Sequence, residues 1–199
     1  GLSVDQNRFE ALMDEQRERA RSARKQSLLD ENADLVSALI ARGVKSEFTG
    51  YASIQEQAQV VELMAAGKVV DALKAGEAGE ILLDRTPFYA ESGGQLGDRG
   101  VLRGANGEFE VWDTQRPADG LILHMGKVVS GTISKKDVVA AMIDLERRGR
   151  LVRHHTGTHL LQCALKKFVG ATVKQAGSLV SPERLRFDFN HYEAVAADK

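Results

Sequence analysis

A chain of 199 residues with 43% hydrophobic and 28% charged content and a net charge of −1 is long enough to bury a core as one large domain or two small ones. That composition excludes intrinsic disorder, and the near-zero charge excludes a global pull toward nucleic acid, leaving only local patches. A single cysteine, Cys163, rules out an internal disulfide and suits a reducing compartment. No apolar run is long enough to span a membrane and no signal peptide is visible. The chain opens on Gly1 and stops after Ala-Asp-Lys, so it is expected to be a piece of something longer.

Residues 3 to about 41 read as helix. Ser3 and Gln6 have capping-box spacing, and Phe9, Leu12, Met13, Ala20 and Ala23 fall on one stripe. The charged stretch Gln16–Lys25 between them reads as a solvated helical face rather than an RNA-binding one. A second stripe, Leu28, Leu35, Val36, Leu39 and Ile40, leads to Gly43 as the helix stop.

From Lys45 the pattern becomes short, β-branched and punctuated by glycine. EFTGYASI, QVVELMAAG, KVVDAL, GEILLD, GVLRG, EFEVWDTQ, LILHMGKVV and DVVAAMIDL predict a compact antiparallel sheet or small barrel. Gly104-Ala105-Asn106-Gly107 predicts a hairpin turn in which Asn-Gly supplies the positive φ angles. Pro87 and Pro117 are placed in connections. The glycine-rich stretch RTPFYAESGGQLGDRG, 85–100, lacks the Gly-Lys-Ser/Thr of a phosphate loop and by spacing alone is a β connection.

A third region begins near Asp144. Leu151, His155, Thr158, His159, Gln162, Cys163, Lys166 and Lys167 step as a helix that Gly170 ends. AGSLVSPERLRFDFN then alternates as a strand pair with Leu185, Phe187 and Phe189 on one face. The fold class is thus α+β: a helical lead (1–44), a β-barrel module (45–143) and an α+β segment (144–199).

Three of the five histidines lie in RHHTGTHLLQ. His155 and His159, four apart on a helix, share one face about 6 Å apart and can close on one zinc ion. The alternative is a pair of partly buried histidines bonded to carbonyls. A zinc-protease site is excluded because Thr156 stands where that chemistry needs a glutamate. His154 points about 100° away. Cys163, too far along the axis from His155 to share its metal, reads as a small buried apolar residue. Neither His124, His154, His191 nor the carboxylates complete a ligand set by spacing. Between Arg147 and Arg186 nine basic residues, Arg150 and Arg153 among them, face one acidic residue, Glu183. This patch would draw a phosphate backbone unless its arginines point to different sides of the helix.

RRGRLVRHHTGTHLLQCALKKFVG with QAGSLVSPERLRFDF resembles the editing domain of the alanyl-tRNA synthetases, RTPFYAESGGQLGDRG their barrel module, and VDQNRFEALMDEQRERAR the helical stretch before it. The resemblance implies an incomplete editing domain of the threonyl/alanyl-tRNA synthetase type. Its zinc would be held by His155 and His159 and by a Cys-x-x-x-His pair expected beyond Lys199, so that this piece alone would hold zinc weakly or not at all and would be inactive. It also implies catalytic roles for Thr158 and Gln175, and substrate or tRNA contacts for Gly93, Gly94, Arg150 and Arg153. The implied reaction is hydrolysis of Ser-tRNA(Ala) and Gly-tRNA(Ala), in the cytoplasm, by a parent that attaches alanine to tRNA(Ala) with ATP and Mg. The implied partner is tRNA(Ala), with neither DNA nor membrane, and any oligomer would form through regions outside this chain. A free-standing deacylase, which is not expected to carry the helical lead, and a non-catalytic tRNA-positioning module are the alternatives.

Overall fold

The structure, a computed structural model, describes residues 5, 8–15, 33–192 and 195. The proposed capping box at Ser3 and Gln6, and the stripe positions Ala20, Ala23 and Leu28, lie outside them. Residues 8–15 are helical (α1), and there Phe9, Leu12 and Met13 are all exposed.

Helix α2 (Ala33–Ala41) ends as its sequence demands. Gly43 has φ +68°. Its N–H donates to Ile40 O and the Val44 N–H to Leu39 O, which is the paired closure that a left-handed glycine permits. Val36 and Leu39 are buried while Ile40 is exposed, so the apolar stripe is narrower than the sequence suggested.

Twelve strands follow: β1 (Glu47–Phe48), β2 (Gln55–Ala65), β3 (Lys68–Val70), β4 (Ala72–Lys74), β5 (Ala78–Leu83), β6 (Arg85–Thr86), β7 (Gly100–Gly104), β8 (Gly107–Ala118), β9 (Leu121–Ser134), β10 (Val138–Ile143), β11 (Lys174–Val180) and β12 (Leu185–Asn190). Six of them, in the order β2, β10, β7, β8, β9, β5 and back to β2, pair antiparallel into a closed barrel. Closure removes the exposed edges that an open sheet would carry. Strand β2 gives its first half to β10 and its second to β5, with a register shift between Val60 and Glu62 where it turns the corner.

Alternation sorts the side chains. Val60, Ile81, Leu83, Leu102, Phe109 and Val139 fill the barrel interior. Met64, Leu82, Leu121 and Leu123 pack outside it, under Val36 and Leu39 of α2. Buried Glu62 receives Arg42 at 2.9 Å and Lys135 at 2.6 Å, which pairs a charge that would otherwise be stranded.

Several local expectations change. EFTGYASI contributes only the two residues of β1, which pairs parallel with β6; its remainder is turn and bend. KVVDAL divides at Asp71 into β3 and β4. The hairpin between β7 and β8 forms as expected, but neither Asn106 nor Gly107 has positive φ; Gly131, opposite on β9, does, at +67°. Gly107 is instead a close-approach position, since a Cβ there would lie 2.6 Å from the Thr132 backbone. Pro117 falls inside β8 rather than in a connection, at the register shift between Gln115 and Ala118, where no ladder bond is lost. No described helix is long and apolar enough to cross a membrane.

Candidate functional site

Strand β10 passes into helix α3 (Leu145–Phe168) through one residue, Asp144. Its carboxylate caps the helix by accepting the Arg147 N–H at 3.0 Å. Arg148, on the first turn, pins the helix to the barrel. Its Nε donates to both oxygens of Asp98 at 3.0 Å, its Nη2 bonds Asp98 and the Pro87 carbonyl, and its Nη1 donates to the Gly50 carbonyl. Asp98 is 1% exposed and also accepts the Tyr89 N–H at 2.7 Å. Arg148, Val152 and His155, spaced by four and three on one helix face, line a cavity of about 290 Å³ together with Phe48, Tyr51, Tyr89, Gln95 and Thr156.

The glycine-rich stretch builds the facing wall. Gly93 and Gly94 adopt φ +60° and +83°, and the turn they make lets Ser92 and Gln95 exchange backbone bonds. A Cβ on Gly94 would collide with the Ser178 carbonyl oxygen. The loop is stitched to β11: the Val180 N–H donates to Gly94 O at 2.8 Å and the Leu96 N–H to Val180 O at 3.1 Å. The turn thereby delivers the Gln95 side chain, 8% exposed, to His155.

His155 Nδ1 lies 2.8 Å from Gln95 Oε1. An amide oxygen only accepts, so Nδ1 carries the proton and Nε2 carries the lone pair. That Nε2 is 3.1 Å from Nε2 of His159, with ring centroids 4.9 Å apart. The two imidazoles therefore converge through the nitrogens suited to a metal, and His155 has the outer-shell hydrogen bond that ligating histidines typically make. The pair fits zinc as two of its ligands. Among the described residues no three His, Cys, Asp or Glu side chains gather as a metal site.

Other expected residues stand apart from this pair. Thr158 is buried on the packed side of α3, its hydroxyl donating to the His154 carbonyl at 2.9 Å. Gln175 is exposed on β11, at a register shift between Gln175 and Gly177. It lies five residues, or roughly 16 Å of strand, from Val180, so it does not share the Gln95 contact. His154 Nδ1 bonds the Ser181 carbonyl at 2.6 Å. His124 is enclosed in the barrel: Nδ1–H donates to Ile81 O at 2.9 Å, and Nε2 accepts from Thr86 Oγ1 at 2.7 Å. Burial lowers its pKa to about 4.

Two readings of the sequence are corrected here. Cys163 is exposed, not buried, because α3 buries only Leu151 and Thr158 and has no core beneath its outer turns. The basic patch is thinner than its charge count. Arg148 is consumed by Asp98, Arg150 pairs with Glu146, and Arg186 with Asp188, while Arg153 remains exposed.

Gln95, Asp98, Phe48 and Tyr51 were not singled out for these roles in the sequence. A glutamine directly after two glycines in a turn was the one signal available for Gln95.

Comparison with known proteins follows from this geometry. The family model described as tRNA synthetases class II (A) matches residues 1–147, the helical lead, the barrel and the cap of α3. The whole chain is 46% identical over 200 residues to an alanine–tRNA ligase of Desulforamulus reducens, of which it covers 23%. Alanine–tRNA ligases of Bacillus thuringiensis subsp. konkukian and Methylococcus capsulatus are 47% and 46% identical over 201 and 199 residues, and the chain covers 22% of each. It thus spans less than a quarter of the length of these relatives. With nearly three quarters of its residues under the family model, and relatives of one kind matching end to end, the chain belongs to the class II (A) tRNA synthetases.

Proposed function

We propose that this chain is the part of an alanine–tRNA ligase that proofreads, hydrolysing the ester between a wrong amino acid, serine or glycine, and tRNA(Ala). The convergence of His155 and His159, with Gln95 fixing the tautomer of the first, carries this reading. The family match ends at Arg147, so support comes from the geometry beyond it and from the relatives that match the whole chain. The chemical need is plain: a pocket shaped for alanine cannot strongly reject a smaller side chain or one that merely adds a hydroxyl, so a second sieve is required.

Zinc held by His155 and His159, with ligands from outside the described residues, would act as a Lewis acid on the ester's amino group or on water. Gln95 holds His155 so that its Nε2 faces Nε2 of His159. Gln175 offers an amide from the exposed end of β11, and the Gly93-Gly94 turn presents Gln95 to the cavity. Arg153 and Arg150 meet the acceptor-stem phosphates. Alanine attachment with ATP and Mg, and a cytoplasmic location, belong to the whole ligase under this reading.

The test compares this chain with a form extended past Lys199. The extended form is expected to bind zinc stoichiometrically and to hydrolyse Ser-tRNA(Ala), with His155→Ala abolishing both. Gln95→Leu is expected to weaken zinc binding about 10- to 100-fold. Undiminished hydrolysis in His155→Ala would refute the assignment.

A further inference from the structure

A hollow of about 410 Å³ lies on the outer surface of the barrel, over β7, β8 and β10. It shares no lining residue with the cavity at His155. Asp144, on its lip, precedes that histidine by a rise of about 16 Å along α3. Strand alternation builds it. Val101 pairs with Glu110 and both point outward, while Leu102 and Val111 fill the interior. Met142, paired with Val101, joins it in a half-buried apolar floor. The last pair of this ladder is Gly100 with Val111. Continuing its register sets Arg99 beside Trp112, whose side chain is 40% exposed.

The charges here are divided. Arg103 is held by Glu108 at 2.7 Å, and Asp144 accepts the Arg147 N–H as the cap of α3. Arg99 and Glu110 are exposed, and neither side chain has a hydrogen bond or ion pair among the described residues. Lys127, across from Glu110 on β9, is exposed as well. Arg147 lies close enough to repel Arg99 and offsets the charge of Asp144 at that end. Glu110 stands two residues from Trp112 on the same face of β8, about 7 Å away.

An unpaired cation, an unpaired anion, an indole beside both and an apolar floor suit a ligand with an anionic group and a flat ring whose edge donates hydrogen bonds. A nucleotide has all of these. A carboxylate only accepts, so Glu110 selects bases by their donors. Guanine presents two adjacent ones, where uracil has one. We propose that this hollow binds a guanine nucleotide, with its phosphate on Arg99, its base stacked on Trp112 and its N1–H and amino group donating to Glu110. A free nucleotide and an unpaired one within an RNA strand offer the same chemistry. The inference uses neither histidine and does not rest on the proofreading reading.

Trp112 is the only tryptophan in the chain, so its fluorescence reports on this site. Guanosine monophosphate is expected to quench it saturably at low salt, and ribose phosphate, which lacks the base, to leave it unchanged. Uridine monophosphate should bind roughly five- to a hundredfold more weakly, and Glu110→Ala should remove most of that preference. Arg99→Ala should weaken the nucleotide about tenfold and guanosine, which has no phosphate, hardly at all. Both substitutions are on the surface and leave the barrel core intact. A single-stranded RNA pentanucleotide with one central guanosine separates the two sources. Binding more than about tenfold tighter than the mononucleotide assigns the site to a strand, and equal binding assigns it to the free nucleotide; either sustains the site. Quenching that does not saturate, equal quenching by ribose phosphate, or an Arg99→Ala variant that holds the nucleotide as the native chain does would overturn the inference.

Discussion

Replacing Arg148 with methionine tests the attachment on which the site depends. The substitution keeps a long side chain but removes every donor. The Asp98 carboxylate, in a residue 1% exposed, would then retain a single described bond, from the Tyr89 N–H, while the buried carbonyls of Gly50 and Pro87 lose their charged donor. Removing one partner of a buried ion pair costs about 3–5 kcal/mol, a large share of the roughly 5–15 kcal/mol that holds a domain together. Arg148 is itself 17% exposed, so water recovers part of the loss and the low end of that range, about 3 kcal/mol, is expected. The cost falls on the joint between α3 and the barrel. Amide exchange in the first turns of α3 should therefore accelerate by about a hundredfold, since each 1.4 kcal/mol is a factor of ten, while amides of the β8–β9 ladder change less. Pairing Arg148→Met with Asp98→Asn should recover much of the loss, because the stranded charge is gone. A loss below about 1 kcal/mol, or a double variant whose cost equals the sum of the singles, would show that the pair does not hold the helix.

Gly94→Ala should destabilise more than Gly93→Ala. Both force an alanine into left-handed backbone, at about 1–2 kcal/mol, but only the first also drives a Cβ into the Ser178 carbonyl; equal urea midpoints would refute the close approach. His124 sets an acid limit. Its pKa is lowered from 6.5 to about 4 by burial, so the unfolded chain takes up a proton at a pH where the folded chain does not. The stability it supports is full above about pH 6.5 and falls as pH drops toward 4, by roughly 3 kcal/mol. His124→Asn should flatten that part of the stability–pH curve, and an unchanged slope would rule the residue out.

What could be read from the sequence was whatever a single element decides. His155 and His159 converge because four residues on a helix return to one face, whatever lies around them. The strands of the barrel announced themselves by alternation and glycine, and Gly43 and Gly170 by position. Contacts that need closure of the barrel left no such trace. Gln95 and His155 are 60 residues apart, and Asp98 and Arg148 are 50 apart. The same blindness produced the errors. Counting charge along the chain assigned Arg148 to a surface patch, since nothing local reveals a carboxylate waiting across the barrel. Cys163 was placed in a core because apolar helical positions usually have one beneath them, and α3 past Thr158 buries no residue.

The glycine-rich loop joins these contacts into one device. Asp98 fixes the first turn of α3 through Arg148, and Gln95, three residues earlier in the same loop, fixes the ring of His155. Seven residues of helix separate those two anchors, a rise of about 10.5 Å, and a helix is stiff over two turns. The loop therefore holds α3 at two points, and backbone bonds through Gly94 and Leu96 tie it to β11 as well. Such a frame sets the imidazole lone pair from outside the helix that carries it. A catalytic arrangement misplaced by about 1 Å can lose a hundredfold in rate, so under the proposed proofreading function the barrel's contribution is positional: it needs no reacting group of its own to control the two histidines.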